Sequence, residues 1–515
     1  MLDNISAAVN EQFQLDSVLE LLNRKQTLRL KGLSGSSPAF VMREISHVGK
    51  TLLIVTGDFE KAAAIASDFE NLGVFDIYLF PPTRKKPYES GKMDGLNAMV
   101  QRSEVLERLR DEMPSVIVAS ADAIAEKLVP AEYFHSSSIE IKKNGHFPPD
   151  ELSDRLTEQG YTAVRFVDQP GEFAVRGGIF DVFPYSGEYP VRLEFFGDEI
   201  DSIREFDPDS QRSIAFLDKT RLVPNASYSE NGNKEGLPSY LPSDTVVVLE
   251  DADHVENQIA TLFAQAEKTY DSIRSDDREV PAPSEEYLSP DEWNEVLKNY
   301  GIISIGSFGN QLEAEKEITF QTSPHPSFNG SFKLLREYIT MQSQKSHLTL
   351  ICTDSTHQKE RFEELLGEPS GDFNYKIIIH NLYQGFILPD AGIHLLTDHE
   401  IFNRYHRPRI KRKQVRGGIS IKELKELNIG DFVVHVDYGI GKFMGFKKIE
   451  VRGNIQEAAV LHYKGDSILY VNVSSLHKIQ KYSGKEGKVP RITKLGSGEW
   501  ARKKATTKKK VKDIA

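Results

Sequence analysis

The sequence predicts a multidomain α/β protein, and three observations carry that prediction. Short apolar strand-like runs alternate with helical patterns over residues 1–120 and again from about 209. Between them, short alternating strands are cut by Gly and Pro turns, the texture of an α+β insert. After Asn428 the pattern is β alone. The chain has 515 residues, more than one core usually serves, so domains of about 100–150 residues are expected.

The elements follow in order. Residues 51–55 form an apolar run, and Asp58 then opens a helix with Ala62, Ile65, Ala66 and Phe69 on one face. Residues 76–80 make a strand stopped by Pro81-Pro82. A long helix carries Met99, Val105 and Leu106, and residues 115–119 read as a buried parallel-type strand. From about 121 the insert has a strand at 138–141, a helix at 150–159, and strands at 163–168, 172–176, 179–183 and 191–196. Strands at 245–249 and 302–305 return to α/β texture, and 330–404 holds a small α/β unit with strands at 348–352 and 375–379. The expected domains are 1–120 with 209–320 as one split α/β domain, 121–208 as insert, and 321–406 as the small α/β domain. A basic linker at 407–428, a β-module at 429–484 and a basic tail at 485–515 complete the division. The β-module places strands at 432–435, 442–451 and 468–473, with Arg452-Gly453-Asn454 as a tight hairpin. Its size is that of a small SH3- or Tudor-like barrel.

Composition narrows the function. No apolar run of about 18 residues exists, and residues 1–4 lack the basic and apolar stretches of a secretory signal, so a cytoplasmic protein without membrane contact is expected. The single cysteine, Cys352, excludes an internal disulfide and multi-thiolate zinc sites. Net charge is −12, unfavourable for binding polyanions over the whole surface. Two basic clusters stand against it, Arg407–Arg416 and Arg502–Lys512, read foremost as solvated linkers. The chain stops in that Lys-rich pattern, which suggests an end inside a longer sequence.

The candidate chemistry is incomplete. Gly32, Gly35, Ser37, Pro38 and Ala39 precede a helix in register with a phosphate loop, whose pattern requires Gly, Lys and Ser/Thr where Ser37, Pro38 and Ala39 stand. Pro38 offers neither charge nor amide donor, and Ala39 cannot ligate magnesium. Glu250-Asp251 after an apolar strand resembles the acidic end of a second nucleotide motif, so the domain reads as a decayed ATPase-like unit without a nucleotide cofactor. His435 and Asp437 share a strand face and are taken as structural rather than as a metal or acid–base pair.

Residues 170–184, Pro-Gly-Glu-Phe-Ala-Val-Arg-Gly-Gly-Ile-Phe-Asp-Val-Phe-Pro, continued by 192–204, resemble a signature shared by the excision-repair protein UvrB and the bacterial transcription-repair coupling factors (Mfd). Residues 430–441, 469–473 and 494–500 resemble landmarks of that family's RNA-polymerase-interacting domain. The likeness to the front half of the family implies a degenerate helicase-like domain whose insert recruits UvrA, with contacts at Arg176, Phe180 and, more loosely, Arg165. It implies a barrel that grips the RNA polymerase β subunit through Ile449, flanked by Lys447, Lys448 and Glu450. Alternatives stay open: Arg176 paired with an acid such as Glu172, Phe180 as core beside Ile179, Ile449 as ordinary barrel core. ATP, magnesium and most double-stranded DNA contact would belong to a motor whose motifs this sequence lacks, leaving a monomeric adaptor that is not itself an enzyme. Two rivals are a UvrB-like repair protein, which needs an intact phosphate loop, and a stand-alone DNA-binding protein, which needs steeply salt-dependent DNA affinity.

Overall fold

A computed structural model describes residues 2–10, 13–74, 76–83, 86–88, 94–208, 210–228, 233–275, 280–306, 312–404, 429–435, 437–451, 454–465, 467–472, 479–482, 490–495 and 500. The basic clusters, the linker 407–428 and the hairpin turn Arg452-Gly453 lie outside them. The chain divides into two units, residues 1–133 with 231–412 and residues 134–230 with 413–515. It is a multidomain α/β fold.

The first unit is built on a seven-stranded sheet in the order Lys316–Thr319, Thr27–Lys31, Gly301–Ile305, Val246–Glu250, Leu52–Thr56, Val116–Ser120 and Ile77–Phe80. Every pairing is parallel. Leu52–Thr56, Val116–Ser120 and Gly301–Ile305 are buried along their whole length. That explains why they read as continuous apolar runs rather than alternations. Helix Phe59–Asn71 starts where Asp58 accepts the Lys61 amide at 2.8 Å, as the sequence expectation has it.

A four-stranded sheet follows, ordered Tyr375–Ile379, Leu348–Thr353, Ile393–Thr397 and Phe386–Leu388, the last pairing antiparallel. Strand alternation divides its central strand. Leu350 and Cys352 join the core around the seven-stranded sheet, while Ile351 joins Leu335, Ile339, Phe362 and Leu396. Cys352 is free and buried, and burial drives its thiol pKa up, as suits an inert core residue.

The second unit holds a six-stranded sheet ordered Ser213–Leu217, Glu199–Phe206, Val191–Phe196, Ile179–Val182, Glu172–Arg176 and Thr162–Ala163. It also holds a two-stranded sheet of Lys219–Leu222 with Ile139–Lys142. The insert expected at 121–208 therefore runs from 134 to 230 in the structure. The physical reason is pairing: Ile203 meets Leu217, and Lys219 meets Lys142, so the strands after residue 208 close back on the insert. In the same unit a five-stranded antiparallel sheet is ordered Ile468–Asn472, Asn454–His462, Gly439–Val451, Phe432–His435 and Ile479–Lys481.

Candidate functional site

In the first unit, Gly32 and Gly35 take positive φ (+73° and +56°), as a phosphate loop needs, and helix Ser37–Ser46 follows with Pro38 in its first turn. Two of the loop's amide donors, those of Ser34 and Ser36, are already used. The Ser34 amide donates to Ser37 Oγ at 2.9 Å and to Thr322 Oγ1 at 2.7 Å. The Ser36 amide donates to the Gln384 carbonyl at 3.2 Å, and the Gln384 amide returns a bond to Ser36 Oγ at 3.0 Å. A Cβ on Gly35 would stand 2.3 Å from the Gly385 carbonyl oxygen. The backbone of 384–385 thus lies against the place where the loop would cradle a phosphate. Phe386 packs edge-on against Phe40, with ring centroids 5.6 Å apart.

Beside this contact Asp68 is buried and accepts the Tyr383 amide at 2.7 Å. Burial pushes its carboxyl up to about 7, against the opposing hydrogen bonds from Ser36 and Tyr383. The acids that resembled a second nucleotide motif have structural partners: Glu250 lies 3.4 Å from Lys61, and Asp251 accepts the His254 amide at the start of helix Ala252–Ser275. Among the described residues no cluster of His, Cys, Asp and Glu could hold a metal ion, and no helix is long and apolar enough to cross a membrane. His435 is buried and its Nδ1 accepts the Asp437 amide at 3.1 Å.

In the second unit, one row runs across the six-stranded sheet from Ala174 through Asp181, Arg192 and Arg204 to Phe216. Paired residues share a face, so these side chains line up. Asp181 accepts from Arg192 at 2.6 Å and 2.8 Å and also pairs with Arg176. Burial raises the Asp181 carboxyl, but the two guanidinium charges outweigh it and hold the pKa below the ordinary value. Arg176, expected as a docking fork, is only 5% exposed, and Phe180 is 0% exposed, stacked on Phe173 at 5.7 Å. Neither side chain has surface to offer a partner. Arg176 pairs with a nearby acid, as the alternative reading has it, but that acid is Asp181; the Glu172 carboxylate accepts the Asp168 and Gln169 amides. Arg165 is exposed, its carbonyl held by Arg176 at 2.8 Å.

The open part of this face carries what the sequence reading passed over. Phe216 is 73% exposed and Phe196 75%, and between them Arg204 pairs with Glu194, which also accepts Ser202 Oγ at 2.7 Å. The tandem Phe195-Phe196 was the available signal, since adjacent residues on a strand point to opposite faces and the two rings therefore sit on different sides of the sheet.

In the five-stranded sheet, Ile449 lies opposite Gln456 on the long hairpin, with Lys447 opposite Ala458, Lys448 opposite Glu457 and Glu450 opposite Ile455. Lys447 is exposed; the side chains of Ile449, Lys448 and Glu450 lie outside the described ones. Ile468 and Tyr470 are exposed on an edge strand of this sheet.

Comparison with known proteins matches two segments. The model described as UvrB interaction domain fits residues 139–228, and the CarD-like/TRCF RID domain fits residues 427–483. The Transcription-repair-coupling factor of Bacillus subtilis (strain 168) is 26% identical, covering 100% of this chain and 50% of the relative. That of Staphylococcus aureus (strain Mu50 / ATCC 700699) is 23% identical, covering 99% and 50%. The chain spans about half the length of the curated relatives it matches. With both domain matches in place and similarity along its whole length, the chain is a homologue of the transcription-repair-coupling factors.

Proposed function

We propose that this chain is a non-catalytic adaptor of transcription-coupled nucleotide-excision repair, docking on RNA polymerase stalled at damage and recruiting UvrA. The observation that carries this reading is the exposed aromatic and charged face of the insert, Phe196 and Phe216 around the Glu194–Arg204 pair, within the segment matched by the UvrB interaction domain. Exposed aromatic rings beside satisfied charges are the composition of a docking hot spot. Arg165 lies at the surface and serves as a direct UvrA contact. Arg176 is a positioning residue that holds the Arg165 carbonyl, and Phe180 supports the sheet from inside.

The polymerase β subunit takes the hairpin bearing Lys447, Lys448, Ile449 and Glu450, in a five-stranded module we read as an SH3- or Tudor-like barrel matched by the CarD-like/TRCF RID domain. The first unit is a degenerate helicase-like domain that takes no nucleotide, metal or other cofactor. Its Ser34 and Ser36 amides are bonded within the chain, and the 384–385 backbone lies against the loop. ATP hydrolysis and most double-stranded DNA contact belong to motor domains of the whole protein, which works as a cytoplasmic monomer.

The test is capture of UvrA and, separately, of the polymerase β subunit by the purified chain. Phe216→Glu should lower UvrA binding at least tenfold without altering polymerase binding, and Ile449→Arg should do the reverse. Retention of both partners by both variants would refute the assignment.

A further inference from the structure

Phe166 belongs to the insert, yet its ring is buried among Val433, Phe443, Leu461, Tyr463 and Ile479 of the C-terminal sheet. Its centroid lies 5.4 Å from that of Phe446, and the Arg165 guanidinium sits 3.8 Å over the Phe446 ring. A cation over an aromatic face is attracted by the ring's quadrupole. Phe443 completes the contact edge-on to Phe446 at 5.3 Å.

The segment that presents these two residues is itself held on the insert. The Val164 amide donates to the Phe173 carbonyl at 2.8 Å, Arg176 donates to the Arg165 carbonyl, and Glu172 accepts the Asp168 and Gln169 amides at 2.7 Å and 3.0 Å. The Arg176 guanidinium, anchored below on Asp181, faces the inner side of the Phe166 ring at 5.1 Å. A phenylalanine braced in this way and left in water would be an exposed apolar anchor; here it completes the core of a module whose sequence begins more than two hundred residues later.

We infer that residues 164–169 are a clasp, with Phe166 as a shared core residue, binding the insert to the C-terminal sheet so that the two move as one body. The occupant of the apolar site on that sheet is thus the chain's own insert. Resting on the docking reading above, this clasp holds both partner surfaces in one frame, and because Arg165 serves it, partner binding at Arg165 and clasp closure are linked reciprocally.

The test needs no partner, so it fails or succeeds apart from the docking reading. Amide exchange is followed in the purified chain as wild type, Phe166→Asp and Phe166→Leu. Phe166→Asp should raise exchange in 432–435, 443–447 and 458–463 at least tenfold, while 179–182 and 191–196 keep their protection and Phe166→Leu stays near wild type. Unchanged exchange of the C-terminal sheet in Phe166→Asp overturns the clasp. Should Phe166→Asp loosen the insert strands as well, Arg165→Glu decides from the exposed side. Exchange at 443–447 faster by about threefold or more with an intact insert supports the clasp, and a wild-type rate there overturns it.

Discussion

Arg192 holds Asp181 in a double grip, Nε to Oδ1 at 2.6 Å and Nη2 to Oδ2 at 2.8 Å, with both side chains buried inside the insert. Removing the acid would leave two buried guanidinium groups, Arg192 and Arg176, without their counter-charge. Breaking one side of a buried ion pair costs about 3–5 kcal/mol. Asp181→Asn should therefore destabilise the insert by several kcal/mol, measured by urea unfolding. A loss below about 1 kcal/mol would show that the cluster is solvated.

The two sides of the insert sheet should respond differently. Phe180→Ala removes a ring with no exposure and should cost about 3–5 kcal/mol, as large core truncations do. Phe216→Glu changes an exposed ring and should leave stability within about 0.5 kcal/mol. Thermal unfolding of the two variants side by side decides; equal losses would mean that Phe216 is covered in the native state.

Asp68 predicts a pH dependence. Its folded pKa, about 7, is raised above the ordinary carboxyl value of 3.8, so the folded state binds a proton that the unfolded chain has released. The stability it contributes is fully present below about pH 4 and is lost as pH rises to about 7. Asp68→Asn keeps an acceptor for the Tyr383 amide but carries no charge. It should be more stable than wild type at pH 8, by an amount on the order of a few kcal/mol. Parallel stability curves for the two proteins from pH 4 to 8 would contradict this.

His394 acts with the opposite sign. Burial, then the neighbouring His347 and Lys345, lower its pKa from 6.5 to about 4. Its neutral ring lies 2.6 Å from the Tyr338 hydroxyl and 3.0 Å from His347 Nδ1. The stability it contributes is present above pH 6.5 and lost as pH falls towards 4. His394→Gln should show a smaller drop in Tm between pH 7 and pH 4.5 than wild type does. An identical drop would assign the acid sensitivity elsewhere.

Restoring the residues of a phosphate loop should not restore its function. With Ser37→Gly, Pro38→Lys and Ala39→Ser together, the Gln384 carbonyl still takes the Ser36 amide, and the Gly385 carbonyl still crowds Gly35. Calorimetry should detect no ATP binding by this triple variant. Micromolar affinity would mean that residues 384–385 yield the site readily.

Much of this was legible from one sequence. Uninterrupted apolar runs at 51–55 and 115–119 can be buried on both faces only inside a parallel sheet, and a proline at position 38 disables a phosphate loop in any tertiary setting. The signature at 170–184 marks the segment matched as a UvrB interaction domain, because its Gly and aromatic spacing is local information.

Tertiary structure decided the rest. Alternation says which residues of a strand share a face but not which face is covered, so the inward turn of Arg176 and Phe180 and the outward turn of Phe216 had no local signal. The extension of the insert to residue 230 depends on strand pairing across tens of residues, and the filling of the loop at Gly35 by residues 384–385 joins segments about 350 residues apart. Propensity and periodicity act within a few residues along the chain. Burial and pairing between distant segments are decided when the core closes and each polar group must find a partner.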